Sequence, residues 1–115
     1  MLRLALALAA LLACGPLAAQ EYTGRYIAAA GTATLALVEH EPAAVRGTLQ
    51  EQGVAYALEG AITIEGLFAT LKAGSRVLYM MARFQAGVLA VTLAEPGADG
   101  TPDLRRAREL AFTRQ

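Results

Sequence analysis

The chain has 115 residues, the length of one domain. Apolar residues make up 56% of it and charged residues 17%, and ten basic side chains balance ten acidic ones. A net charge of zero argues against a nucleic-acid binder working by bulk charge, which needs a basic excess to neutralise phosphates. One cysteine excludes a disulfide framework within the chain, and one histidine argues against a His-cluster metal site.

Residues 1–20 read as a signal helix. Met1-Leu2-Arg3 is a short basic start, and Leu4 to Ala13 is an unbroken Ala/Leu run. That run is too short to cross a hydrocarbon core, which takes about 20 helical residues, but it matches the apolar region of a secretory signal. Gly15 and Pro16 break it, and Leu17-Ala18-Ala19-Gln20 offers small residues to signal peptidase, with cleavage expected after Ala19 or Gln20. Leu11-Leu12-Ala13-Cys14 also fits a bacterial lipobox, in which Cys14 would carry the lipid. Either route predicts a single domain over 21–115, secreted or periplasmic, or lipid-anchored to the envelope through Cys14. The charge of that domain is −1, nine basic residues against ten acidic ones once Arg3 is removed.

From Tyr22 to Thr113 apolar residues alternate at period two, with Gly-containing breaks between short runs. Leu35 and Leu37 alternate with Thr34 and Ala36. Val45, Gly47 and Leu49 alternate with Arg46, Thr48 and Gln50. Val54, Tyr56 and Leu58 then face one side, and Leu89, Val91 and Leu93 do so near the end. The expected strands are 22–28, 32–39, 43–50, 54–59, 61–71, 76–84, 88–94 and 106–113. Their order predicts an all-β fold, a small eight-stranded antiparallel up-and-down barrel, since closing the sheet removes its edges.

The connections carry their own signals. Glu51-Gln52-Gly53 and Gln85-Ala86-Gly87 place glycine third in a three-residue loop, as in a type I turn with a G1 bulge. Glu95 to Arg105 is the longest break, and Thr101-Pro102-Asp103 could start one helical turn with Thr101 as its cap.

Tyr22-Thr23-Gly24-Arg25-Tyr26 opens the first strand and Leu110-Ala111-Phe112-Thr113-Arg114 closes the last. This resembles the calycin pattern of lipocalins and their relatives, in which an arginine after the last strand covers an aromatic of a Gly-x-Trp motif. The counterparts here are Gly24, Tyr26 and Arg114, with tyrosine in place of tryptophan. The resemblance implies a barrel floor made of a guanidinium stacked on a ring. The short strands bring the chain closer in size to avidin-like barrels and to small periplasmic metalloprotease inhibitors of that superfamily.

Chemistry-bearing constellations are few. Glu39-His40-Glu41-Pro42 holds the one imidazole, but strand neighbours point to opposite faces, and a turn ahead of Pro42 accounts for the run. Asp99-Gly100-Thr101-Pro102-Asp103 lacks the alternating oxygen ligands and terminal Glu of an EF-type loop. The one serine, Ser75, lies beside Gly74 in a turn, not in a nucleophile elbow. Arg105-Arg106-Ala107-Arg108 is basic, but Asp99, Asp103 and Glu109 are close enough to neutralise it. No catalytic or metal-ligating residue and no cofactor are expected.

In strands five and six both faces are apolar. Leu67, Ala69 and Leu71 oppose Ile62, Ile64 and Phe68, and Val77, Tyr79 and Met81 oppose Leu78, Met80, Ala82 and Phe84. A phase change at Glu65-Gly66 would resolve strand five but not strand six. Val77, Tyr79 and Met81 are therefore expected to form an interface, with a second copy or another envelope protein. Lipid-spanning strands are disfavoured, because they need about 9–11 residues and aromatic girdles. The leading functional expectation is carriage or sequestration of a small apolar ligand by Leu35, Leu37, Leu49, Tyr56, Leu58, Phe84 and Leu89. The alternatives are a protein-binding module, such as a periplasmic enzyme inhibitor or an envelope-assembly subunit, or a structural lipoprotein anchored through Cys14.

Overall fold

The computed structural model describes residues 21–115. The expectations for the signal helix 1–20 and for Cys14 fall outside the described residues. Alternating side chains give eight strands in chain order: β1 (Gly24–Ala28), β2 (Ala33–His40), β3 (Ala44–Glu51), β4 (Val54–Thr63), β5 (Gly66–Ala73), β6 (Arg76–Gln85), β7 (Val88–Ala94) and β8 (Arg108–Arg114). Each pairs antiparallel with the next, and β8 returns to β1, so the sheet is a closed up-and-down barrel. The closing seam joins Tyr26 to Arg114, Ile27 to Thr113 and Ala28 to Phe112. Backbone bonds from Ala29 to Ala111 and from Gln115 to Arg25, both 2.8 Å, extend it.

The inward rows fill the barrel. Leu35, Leu37, Val45, Leu49, Leu58, Leu67, Leu71, Met80, Leu89, Val91, Leu93 and Phe112 are at most 3% exposed. Each large side chain buried this way contributes about 1.5–3 kcal/mol of transfer free energy. Closure also pairs backbone groups that an open sheet would leave at its edges.

The division between the fourth and fifth strands differs from expectation. Glu59-Gly60 does not end β4, which runs on to Thr63 and pairs there with Gly66. Residues 61–71 are therefore not one strand, and the hairpin turn at Ile64-Glu65 lies inside that range. Gly60 sits mid-strand because β5 crosses closely: a Cβ there would stand 2.3 Å from the Phe68 carbonyl oxygen. The turn also settles the phase of β5, since Ile62 and Leu67 pair on the inner side and Phe68 points out.

Two other connections are tighter than predicted. Glu51 pairs with Val54, and Gln85 with Val88, so each loop has two residues, not three. Gln52 and Gly53 have φ of 52° and 79°, Ala86 and Gly87 53° and 82°, the pattern of type I′ turns. That turn matches the right-handed twist of the strands it joins. The β7–β8 connection makes one 3-10 turn at Leu104–Arg106, capped by Asp103 and not by Thr101. Asp103 Oδ1 accepts from the Arg105 N–H at 3.2 Å.

One end of the barrel, here the upper, carries the turns 29–32, 52–53 and 74–75 and the connection 95–107. The lower end carries Glu21 to Thr23, the turns 41–43, 64–65 and 86–87, and Gln115.

Candidate functional site

At the lower end Tyr26 points into the barrel and is 1% exposed. The β1–β8 seam sets Arg114 beside it, with the guanidinium carbon 5.2 Å from the Tyr26 ring centroid and 5.5 Å from that of Phe84. Arg114 Nη2 donates to Tyr26 Oη at 2.8 Å and to the Glu21 carbonyl. Tyr26 Oη in turn donates to the Tyr22 carbonyl at 2.8 Å, and the Tyr22 ring stacks on Phe84 at 5.3 Å. Gly24 lies under the Arg114 stem, whose atoms would be 3.6–3.8 Å from a Cβ. Burial pushes the Tyr26 phenol above its ordinary pKa, and the Arg114 guanidinium pulls against it. Glu39 accepts from the Tyr22 backbone N–H at 2.6 Å, while its neighbour His40 is exposed. The two do not converge, and no group of three or more His, Cys, Asp or Glu gathers among the described residues.

The side chains expected to line a ligand chamber all lie in or against the packed interior. Leu35, Leu37, Leu49, Tyr56, Leu58 and Leu89 belong to the buried core, and Phe84 is half-buried against it. The first six of these are 3% exposed or less.

At the upper end Glu51 ends β3, inward because Leu49 two residues earlier is inward. It is 8% exposed, and both its oxygens accept from Arg108 at 2.9 Å. These bonds hold the Glu51 carboxyl below the ordinary glutamate range, against an opposing push from burial. They raise the Arg108 pKa in turn. Arg108 thus finds its partner across the barrel and not in Asp99, Asp103 or Glu109. Asp103 serves Arg106 at 3.4 Å and, more loosely, Arg105 at 3.9 Å. Arg76 lies 5.8 Å over the Tyr56 ring. Sequence reasoning missed Glu51 as a site residue; the available signal was a carboxylate in the inward phase of its strand.

On the outer wall Val77, Tyr79 and Met81 are half-buried. Part of that cover belongs to the chain itself, since Tyr79 Oη donates to the Gly100 carbonyl at 2.8 Å, tying the β7–β8 connection down. Met81 pairs with Phe68, which is 40% exposed. Both border a shallow depression of about 360 Å³ that also touches Glu65, Arg83, Ala90, Thr92 and Glu109.

No family model matches the chain, and no match was found among curated proteins or solved structures.

Proposed function

We propose that this is a non-enzymatic binding protein of the secreted or periplasmic space, engaging another envelope protein through the outside of a self-filled barrel. The observation that carries the reading is the packing of Leu35, Leu37, Leu49, Leu58 and Leu89 to 3% exposure or less. An eight-stranded barrel is narrow enough to be filled by its own side chains, and binding then falls to its surface. The wall around Phe68 and Met81 is an apolar part of that surface flanked by charge of both signs, Arg83 against Glu65 and Glu109. Kinship with the calycins belongs to the same proposal, supported by the placement of Arg114 over Tyr26.

The test is native mass spectrometry of the protein purified from its own envelope, followed by a denatured intact mass. A complex with a second envelope protein that Phe68→Glu abolishes supports the proposal. A small extra mass lost on denaturation returns the reading to an apolar cargo carried by the barrel. The intact mass also identifies the processing route, starting at Gln20 or Glu21, or at a lipidated Cys14.

A further inference from the structure

Arg76 is the first residue of β6 and shares the inward side with Leu78 and Met80, so it leans over the upper mouth of the barrel. The mouth is a depression of about 280 Å³ with Glu51, Glu95, Arg76, Arg106 and Arg108 around it. Its guanidiniums are not equally engaged. Arg108 spends two donors on Glu51, and Arg106 turns to Asp103. Arg76 pairs with no carboxylate among the described residues. It lies 5.8 Å over the Tyr56 ring and its N–H donors make no hydrogen bond to a described residue.

We propose that this mouth binds the carboxylate of a small organic acid, with Arg76 as the residue that holds it. Arg108 is neutralised by Glu51 and Arg106 by Asp103, which leaves Arg76 as the guanidinium of the mouth without a carboxylate partner among the described residues and Glu95 as the one acid at the rim outside these pairs. A carboxylate brings one negative charge and two coplanar oxygens that match the guanidinium fork. A phosphate dianion would bring a second charge toward Glu51 and Glu95, so it is the poorer fit. The floor of Tyr56, Leu78 and Leu93 is closed, at 5% exposure or less, and the body of the acid stays in the mouth above it. This site is separate from the outer wall, and neither proposal depends on the other.

The test titrates 15N-labelled protein with sodium acetate, and separately with inorganic phosphate, at an ionic strength held constant with sodium chloride. The Arg76 Nε–H signal is followed, with Arg46 on the outer wall as control. The expected result is a saturable shift at Arg76 with acetate, a weaker response to phosphate and none at Arg46. Arg76→Gln should weaken acetate binding roughly tenfold, ~1.4 kcal/mol, while its thermal unfolding stays close to the parent's. A linear response equal to that of chloride, tighter binding of phosphate than of acetate, or unchanged acetate binding by Arg76→Gln would each overturn the proposal.

Discussion

Arg108 and Arg114 stand on the same side of β8 and close opposite ends of the barrel. Residues of equal parity on a strand share a face, and the span between the two is about 20 Å at the rise of an extended chain. Arg108 reaches Glu51 across the upper mouth, and Arg114 lies over Tyr26 and Phe84 at the floor. One strand therefore supplies both plugs, and Leu110 and Phe112 between them face the core.

The floor plug is testable by removing its charge. Arg114→Gln loses the ring contacts and the bonds to Tyr26 Oη and the Glu21 carbonyl. The expected cost is about 1–3 kcal/mol, from two cation–π contacts and the charge-assisted hydrogen bonds. For a domain of this size each kcal/mol lowers Tm by roughly 4–8 °C, readable by circular dichroism. Arg114→Lys keeps the charge but not the fork, and should fall between the two. A Tm for Arg114→Gln equal to the parent's would show that the floor holds without it.

The upper plug should make stability depend on pH in acid. Glu51 has its folded pKa lowered, chiefly by the bonds from Arg108. A carboxylate so lowered contributes stability that is complete above its ordinary, unfolded pKa. That contribution is lost as pH falls through the folded value, because the unfolded chain then binds the proton more readily. Arg108 is half exposed, so screening limits the contribution to about 1 kcal/mol. Urea unfolding at neutral pH should show Glu51→Gln less stable by that amount. Stepping below the ordinary glutamate pKa should narrow the gap, and a gap constant with pH would exclude this linkage.

The two type I′ turns offer a gain in place of a loss. Ala86 holds φ of 53°, a region where a Cβ costs roughly 1–2 kcal/mol. Asparagine tolerates that region, and Asn-Gly is a favoured pair for this turn. Ala86→Asn, which creates that pair with Gly87, should stabilise the protein by about 0.5–1 kcal/mol, measured as a rise in urea midpoint at unchanged slope. No rise would mean that the strands, not the turn, determine this hairpin's conformation.

The barrel was legible in the sequence because one face of every strand meets the core, and that constraint writes itself as alternation at period two. What was not legible depended on neighbours distant in the chain. Gly60 has the same letter as a turn glycine, and only the approach of Phe68 from β5 gives it a different reason. Glu51 and Arg108 are joined across 57 positions, beyond any local spacing rule. Tyr79 looked unpartnered on its strand until the β7–β8 connection folded back to meet it through Gly100. Tyr26 and Arg114 were found together through the calycin resemblance, not through any pattern between them.

The filled interior leads to the last prediction. Leu89 is 0% exposed and pairs with Phe84 and Phe112 across β6 and β8. Leu89→Ala removes an isopropyl group that nothing nearby can replace, since the surrounding row is held by strand pairing on both sides. The expected cost is about 2–5 kcal/mol, the higher part of that range if the cavity does not collapse. A cavity that persists is bordered by Phe84, Phe112 and the rest of the apolar core, and such a space stays dry and accepts small apolar molecules. Benzene or xenon should therefore raise the Tm of Leu89→Ala and leave the parent's unchanged. The comparison separates two kinds of barrel. Stabilisation of the parent by the same probes would mean that its core side chains part readily, and carriage of an apolar ligand would then become the stronger functional reading.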